Sequence, residues 1–290
     1  MSWVASLGGK IQPKTIKQYL GHVKSMHTDL DLPFAPCTSP IVQRLIRGIK
    51  RYHGERDTRR KMPITLPVLQ DLLRHLQPDT NPGHLGVYAA ACVAFSGFLR
   101  CGEFTVKAGK AFSTSNQPTR RSIEFHPDLS NPTHARLNLP ASKTDPFRKG
   151  VSIYLAAAPG ATTCPVTALK RLFAEDPSDP DGPLFHNPDG SPLSREFFIE
   201  TIRLALQAAG YKSKDFAGHS FRRGAASSAA AAGCQDHEIQ LLGRWLSDAY
   251  KVYIDIDQNR LHFLSKSLHW VLPHNLTYEP PALHSATYLA

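Results

Sequence analysis

The sequence lacks any long hydrophobic run. None of its 290 residues belongs to a stretch that approaches about eighteen consecutive apolar residues, so no membrane-spanning helix is predicted. Residues 1–10 do not combine a charged segment with an apolar core, and a secretory signal is therefore not expected. The length suits one large domain, or a large domain with a smaller partner.

Cysteine is scarce and irregularly placed. The chain has five cysteines, an odd number, and none is spaced as C-x-x-C. We expect reduced, mostly buried thiols in an intracellular protein. Its fourteen histidines do not form an H-x-x-x-H pattern or a paired Cys/His pattern, so no metal site is predicted.

Positive charge is in excess, with a net charge of +10 and a pI near 9.4, which makes a polyanion a candidate partner. Residues 44–61 hold eight Lys and Arg against two acids. This segment is either a solvated helix face followed by a flexible linker, or a surface that lies along a phosphate backbone. The side chains of such a surface would be Arg44, Arg47, Lys50, Arg51, Arg59, Arg60 and Lys61.

Apolar spacing predicts a mainly helical chain with a small antiparallel sheet, an α+β fold. Three short alternating segments, at 122–125, 135–139 and 151–155, are the predicted strands. A Pro-rich connector is expected at 29–40, a turn at 142–146 and a loosely ordered tail after residue 272. Helices are predicted at 11–30, 41–53, 65–77, 84–99, 164–174, 194–209, 219–232, 235–243 and 247–257. In the second of these, Ile41, Leu45, Ile46 and Ile49 would form the apolar side.

His219 and Arg222 form the most informative pair, because residues three apart lie one turn apart on a helix. They follow Gly218 at a predicted helix start, and helix N-termini favour anions. Arginine can donate two hydrogen bonds to a phosphate, and histidine exchanges protons near neutral pH. Taken alone, the pair could also be a chance arrangement on the surface.

Four further positions carry useful chemistry but also have structural interpretations. Arg100 ends an apolar helix, where it could complement the helix dipole or pair with Glu103. Lys143 lies in the predicted turn and offers a mobile charge that can donate a proton. Trp245 and Tyr253 could be ordinary packing residues.

In order and spacing, these residues resemble the tyrosine recombinase (phage integrase) family over residues 63 to about 260. The form of the Trp245–Tyr250 segment is most similar to recombinases of eukaryotic mobile elements, in which Trp often replaces a second His. The matching stretches are Phe98-Leu99-Arg100-Cys101-Gly102-Glu103, Ser142-Lys143-Thr144, His219-Ser220-Phe221-Arg222 and Leu242-Gly243-Arg244-Trp245, continuing through Tyr250 to Tyr253-Ile254.

The resemblance implies a site-specific recombinase or integrase that cleaves and rejoins double-stranded DNA through a 3′-phosphotyrosyl intermediate. Tyr253 would attack, His219 would accept its proton and Lys143 would protonate the leaving 5′-oxygen. Arg100 and Arg222 would clamp the phosphate, Glu103 would orient the clamp or His219, and Trp245 would pack against the site. The covalent intermediate conserves the energy of the broken bond, so no nucleotide cofactor is needed.

The resemblance also implies a domain organisation. Residues 1–54 would be a short, possibly truncated core-binding domain, 55–62 a basic linker, 63–272 the catalytic domain and 273–290 a tail. Self-association on DNA, as a synaptic dimer or tetramer, and an intracellular location, nuclear in a eukaryote, would follow. Tyr253 lies eight residues after Trp245, one fewer than the commonest family spacing, which leaves Tyr250 as an alternative nucleophile.

Three other functions stay open. The chain could be a catalytically idle or domesticated DNA-binding protein derived from a mobile element, or a type IB topoisomerase, which uses similar chemistry. A helical scaffold with a basic surface is the fourth interpretation.

Overall fold

Two units make up the chain, Met1–Arg60 and Lys61–Ala290. The computed structural model describes residues 1–54, 61–141, 145, 147, 149–247, 251 and 266, with only the main chain of Pro36 and Cys37. The predicted helix at 247–257, the turn at 142–146 and the tail lie outside the described residues, apart from single positions. Among the described residues, no helix is both long and apolar enough to span a bilayer.

In the first unit, residues 1–54 form four helices. Pro13 and Pro40 occupy first-turn positions of the two long helices, where the missing N–H is no loss. Ser39 caps the fourth helix by accepting a hydrogen bond from the N–H of Val42 at 3.4 Å. The helices are α1 (Ser2–Ser6), α2 (Pro13–Asp29), α3 (Ala35–Thr38) and α4 (Pro40–His53).

The core of this unit corrects two expectations. The predicted connector at 29–40 contains the short helix α3, and the apolar side of α4 includes Val42 in place of Ile41, which is 59% exposed. Val42 lies four residues before Ile46, whereas Ile41 is rotated off that stripe. The buried apolar side chains of the unit are Val4, Ile16, Leu20, Val42, Ile46 and Ile49.

The second unit combines helices with one sheet and confirms the predicted α+β class. Its helices are α5 (Leu66–Leu76), α6 (Leu85–Ser96), α7 (Pro165–Glu175), α8 (Arg195–Ala208), α9 (Ser220–Ala231) and α10 (Asp236–Gly243). Its strands are β1 (Ile123–His126), β2 (His134–Leu139) and β3 (Val151–Ala156). The predicted elements at these positions are therefore present, with ends that differ by at most three residues; the largest difference is at the C-terminal end of α6, which is Ser96 where 99 was predicted.

The sheet has the order β1-β2-β3, and both pairings are antiparallel. Leu137 pairs with Ile123 and Ile153 on the buried face, and its neighbour Arg136 pairs with Glu124 on the outer face. This alternation is what a half-buried sheet requires. Helix α6 is apolar on all sides and packs against α7 and α9, and the Phe98 carbonyl just beyond its C-terminal end accepts a hydrogen bond from Arg222 of α9.

Residues 61–66, the entry segment, run along α9. Gly224 of α9 makes room for the segment, because a Cβ there would lie 1.7 Å from the carbonyl oxygen of Ile64. Arg223 donates a hydrogen bond to the carbonyl oxygen of Lys61. The Met62 N–H donates to the carbonyl oxygen of Asp215 at 2.7 Å, and the Ile64 N–H donates to that of Ser220 at 2.9 Å. The Leu66 N–H donates to Ser228 Oγ at 3.1 Å. The segment therefore fixes α9, the helix that carries Arg222.

Candidate functional site

Arg100 and Glu103 form a closed pair after the end of α6. Arg100 caps a 3₁₀ turn, Cys101–Glu103, and the Glu103 carboxylate accepts from its main-chain N–H at 2.8 Å. The other carboxylate oxygen accepts from Arg100 Nη1 at 2.7 Å. Glu103 is 5% exposed and the Arg100 side chain 18%, so the arginine is the more accessible partner. Pairing of these two residues was one of the two structural interpretations of Arg100 in the sequence.

His219 lies at the N-terminal end of α9, close to this turn. Gly218, directly before it, packs so tightly on Cys101 that a Cβ at position 218 would lie 2.7 Å from the Cys101 Cβ. His219 is the N-cap residue of α9 and is exposed. Two motifs that are far apart in sequence therefore meet at Gly218 and Cys101, with His219 exposed next to that contact.

Arg222 is buried, with 1% of its surface exposed. Its Nη1 donates to the carbonyl oxygen of Phe98 at 2.6 Å, and its Nη2 donates to that of Gly243. The guanidinium carbon lies 4.1 Å from the centre of the Trp245 ring, a cation–π contact. Trp245 therefore packs on the Arg222 side chain.

Gly243 explains how Trp245 reaches that position. A Cβ at residue 243 would lie 1.5 Å from the indole ring, so only glycine lets the ring fold back over the end of α10. The glycine in the Gly-Arg-Trp sequence is thus required by packing.

Arg244 belongs to the same cluster, and the sequence did not assign it a role. Its Nη1 donates to the carbonyl oxygen of Gly97 at 2.8 Å, and its Nη2 lies 3.2 Å from a carboxylate oxygen of Glu103. Arg244 adopts a left-handed conformation with φ of 56° at the end of α10. Its position in the matched Leu-Gly-Arg-Trp stretch was the available signal, but only the tertiary contact with Glu103 reveals the role.

The contacts form one chain: Arg100, Glu103, Arg244, Phe98 O, Arg222 and Trp245. Two of the three guanidinium groups, those of Arg100 and Arg244, share the Glu103 carboxylate, so the cluster holds three arginines and one acid. Burial lowers the pKa of Arg244 below its ordinary value, the Glu103 carboxylate opposes that shift and the charge of Arg100 adds to it. Such a cluster suits an anion with several oxygens.

Among the described residues, neither a metal-binding group of side chains nor a disulfide accompanies this cluster. Within residues 1–54, 61–141 and 149–247, no three His, Cys, Asp or Glu side chains come together to hold a metal ion. Cys92, Cys101, Cys164 and Cys234 are free thiols, and the first three are buried.

Several predicted site residues lie outside the described residues. They are Lys143, Tyr253 and its alternative Tyr250, and Arg59 and Arg60 of the basic segment. The remaining basic residues are described: Arg44, Arg47, Lys50 and Arg51 are exposed on α4. Lys61 is also exposed, and its ammonium group donates to the carbonyl oxygen of Lys214 at 2.6 Å.

Comparison with known proteins finds the fold and no closer relationship. Neither a protein-family model nor a curated protein matches the sequence. The Tn1549 transposon integrase in complex with transposon right end DNA matches 92% of this chain and 84% of its own, with a TM-score of 0.55 and 15% identity. Its complex with circular intermediate DNA gives the same coverage, with a TM-score of 0.54 and 14% identity.

A third structure fits less well. The XerH site-specific recombinase, in a post-cleavage complex with its palindromic difH substrate, matches 72% of this chain with a TM-score of 0.49 and 16% identity. This chain spans only 54% of the XerH chain, and the match adds nothing to the fold assignment. The Tn1549 comparisons are sufficient: this chain has the fold of the tyrosine recombinases.

Proposed function

We propose that this protein is a DNA breaking-and-joining enzyme, a site-specific recombinase or integrase that acts through a phosphotyrosyl intermediate. The observation that carries the proposal is the contact chain. It links Arg100 and Glu103 to Arg222 and Trp245, which lie far from them in the sequence. Arginines gathered around one carboxylate beside an exposed histidine have the composition that a phosphodiester site needs.

Two further observations support DNA as the substrate. The Tn1549 integrase, whose fold this chain shares, is bound to DNA in its solved complexes. The chain also has a net charge of +10, and α4 presents four exposed basic side chains. We propose that residues 1–54 are the core-binding domain, that 55–62 are the linker and that the remainder to residue 272 is catalytic.

The proposed reaction has two transfers. The Tyr253 oxygen attacks phosphorus, its proton passes to His219, and the bond from phosphorus to the 5′-oxygen breaks as Lys143 protonates that oxygen. A 5′-hydroxyl of another strand then attacks the phosphotyrosine and releases Tyr253. No step consumes a nucleotide cofactor, because the phosphotyrosyl ester keeps the energy of the original bond.

Arg100 and Arg222 have electrostatic roles in this proposal. Negative charge accumulates on the non-bridging phosphate oxygens in the transition state, and guanidinium groups stabilise it there. Glu103 holds Arg100 in place, at 2.7 Å, and Trp245 packs on Arg222. Loss of one such donor costs about 3 kcal/mol of transition-state stabilisation in comparable sites.

The remaining parts of the proposal concern the cellular setting. We propose that the protein assembles as a dimer or tetramer on DNA, that it is related to recombinases of eukaryotic mobile elements and that it is intracellular, in the nucleus if its host is a eukaryote. The motif form around Trp245 supports the second point, and it is the basis for the third.

Trapping the covalent intermediate tests the proposal. The protein is incubated with a pool of randomised duplexes, each nicked so that the fragment released by cleavage diffuses away and religation stops. We expect a protein–DNA adduct that survives denaturing electrophoresis with the wild type and with Tyr250→Phe, and none with Tyr253→Phe. An adduct that persists in Tyr253→Phe and is lost in Tyr250→Phe would assign the nucleophile to Tyr250.

The burial of Arg222 favours a second candidate, a DNA-binding protein that does not cleave. At 1% exposed, Arg222 donates to two main-chain carbonyls in this structure, and a phosphate would have to displace part of that arrangement. Salt-sensitive binding to every duplex without any adduct would identify this function. Relaxation of supercoiled plasmid without sequence preference would instead identify a topoisomerase.

A further inference from the structure

Arg244 contacts both sides of Arg100 along the chain. It holds the carbonyl oxygen of Gly97, three residues before Arg100, and the carboxylate of Glu103, three residues after it. One guanidinium therefore ties together the two ends of the segment that presents Arg100. Arg244 has no role in the reaction proposed above.

The segment needs such support, because it is strained. Phe98 has a φ of 51°, a left-handed conformation that costs a residue with a side chain about 1–2 kcal/mol. Its carbonyl oxygen accepts from Arg222 Nη1 at 2.6 Å, and Arg244 Nη2 lies 3.4 Å away. Strain of this kind persists only where neighbouring contacts fix the backbone.

The orientation of the Glu103 carboxylate also depends on Arg244. One oxygen is 2.7 Å from Arg100 Nη1, and the other accepts from the Arg100 N–H at 2.8 Å and lies 3.2 Å from Arg244 Nη2. Without Arg244, the second oxygen keeps only the main-chain contact, and the carboxylate can rotate. Arg100 would then lose a fixed partner.

We propose that Arg244 is a positioning residue, which fixes the direction of the Arg100 guanidinium through Glu103 and the Gly97–Phe98 turn. Its catalytic consequence rests on the proposed function. The role needs the two separated nitrogens of a guanidinium, which reach the Gly97 carbonyl and Glu103 at once. A lysine ammonium at position 244 keeps the charge but offers one point of contact, and so cannot replace it.

Reaction with phenylglyoxal, an arginine-specific dicarbonyl, measures the freedom of Arg100 without any DNA. The rate of modification at Arg100 is read by peptide mass spectrometry and divided by the rate at Arg121, an exposed arginine paired with Asp181. We expect this ratio to rise about tenfold in Arg244→Lys and in Arg244→Gln, the effect of losing one charge-assisted hydrogen bond. A ratio equal to that of the wild type in Arg244→Lys would overturn the proposal, since charge alone would then suffice.

Arg203→Gln is the matched control. Arg203 also holds a main-chain carbonyl, donating from Nε and Nη2 to Phe216 O at 3.1 and 3.0 Å, but it does not contact the Arg100 segment. We expect Arg203→Gln to leave the modification ratio of Arg100 to Arg121 at its wild-type value. A tenfold rise of that ratio in Arg203→Gln would show that a general loosening of the fold explains the effect. If an Arg244 variant does not fold, Glu103→Gln interrupts the same link between Arg244 and Arg100. We expect it to raise the modification ratio as well.

The trapping assay separates this inference from the proposed function. If the wild type forms the adduct, Arg244→Lys should lower its single-turnover rate about a hundredfold, as for a misplaced catalytic group, with DNA affinity unchanged. An unchanged rate would overturn the positioning role and leave the recombinase function standing. If the wild type forms no adduct, that function fails, and the phenylglyoxal ratio still decides whether Arg244 positions Arg100.

Discussion

Glu103 shows how burial decides the importance of a single charged residue. Its carboxylate is 5% exposed and contacts Arg100 and Arg244, whose side chains are 18% and 14% exposed. An isolated charge in such a place would be costly, so each partner depends on the other two. The sharing of one carboxylate by two arginines is therefore a structural requirement as well as a chemical one.

Glu103→Gln should reveal this dependence. The neutral amide has nearly the same shape but leaves the arginine charges without a counterion, and we expect the free energy of unfolding to fall by about 3–5 kcal/mol. Urea denaturation of the full chain measures the change. Glu124→Gln, which breaks an ion pair with Arg136 on the exposed sheet face, is the control and should have a much smaller effect. Equal effects would contradict the expectation that a buried carboxylate shared by two arginines contributes more to stability than a surface pair.

Tyr88 gives a prediction about pH. Burial raises the pKa of Tyr88 from 10.0 to about 12, and its hydroxyl donates to the carbonyl oxygen of Thr162 at 2.6 Å. Because the folded state holds the proton more tightly than the unfolded state, the stabilising contribution is complete below pH 10 and is lost as the pH rises to about 12.

Thermal unfolding of the wild type and Tyr88→Phe between pH 8 and pH 12 checks this sign. We expect the variant to be less stable by about 1 kcal/mol near neutrality, where it lacks the hydrogen bond, and to lose less stability as the pH rises. Tyr19→Phe, at a tyrosine that is 43% exposed, should parallel the wild type. Parallel curves for Tyr88→Phe would contradict the raised pKa.

At the start of a helix, the N-cap side chain stabilises the helix only if it makes a capping hydrogen bond. Ser194, the N-cap residue of α8, accepts from the N–H of Phe197 at 3.1 Å, whereas the Thr65 side chain makes no capping bond to α5. Ser194→Ala should therefore lower the free energy of unfolding by about 1 kcal/mol. Thr65→Ala should change it little. Urea titrations of both variants compare them directly, and a larger loss in Thr65→Ala would contradict the assignment.

At this scale the sequence predicted most of what the structure contains. Apolar periods predicted α2, α4 and α5, because a buried stripe must recur every three or four residues, and a continuous apolar run predicted α6. The predicted apolar side of α4 was partly wrong, because Val42 lies on the buried stripe of Ile46 and Ile49, whereas the equally apolar Ile41 is rotated off it. The short helices α1 and α3 escaped prediction because four or five residues are too few for a period, and tertiary contacts stabilise them.

Charge is unevenly distributed over the whole molecule. Residues 1–60 hold eleven Lys and Arg against four Asp and Glu, and so account for most of the net charge of +10. If DNA is the partner, the ionic part of the affinity should therefore come mainly from the small unit. Its strength would appear in the dependence of affinity on salt.

Replacing Arg44, Arg47, Lys50 and Arg51 together by Gln tests this distribution. The slope of log K against log salt concentration should become shallower by up to about 0.9 for each DNA phosphate that is no longer neutralised, measured by fluorescence anisotropy. A control with the same charge change replaces four arginines that are paired with acids in the second unit, namely Arg74, Arg121, Arg136 and Arg171. It should leave the slope nearly unchanged, and equal slopes for both variants would mean that affinity follows net charge alone.

The candidate site could be predicted only in part, because it is assembled over long distances. The spacing of Arg100 and Glu103 already allowed a pair. By contrast, Arg222 meets the Phe98 carbonyl across 124 positions of sequence, and Arg244 meets Glu103 across 141. No local pattern encodes such contacts, and the contribution of Arg244 follows from its tertiary contacts with Gly97 and Glu103.

The entry segment sets where the chain can be divided. Its N–H groups and its Ile64 carbonyl lie against α9, over a glycine that leaves no room for a side chain. A version of the second unit that began at α5 would expose the Ser220 carbonyl and an empty groove along the helix of Arg222. An expression boundary for that unit therefore belongs before Lys61, and a tag or fusion partner should be joined upstream of it.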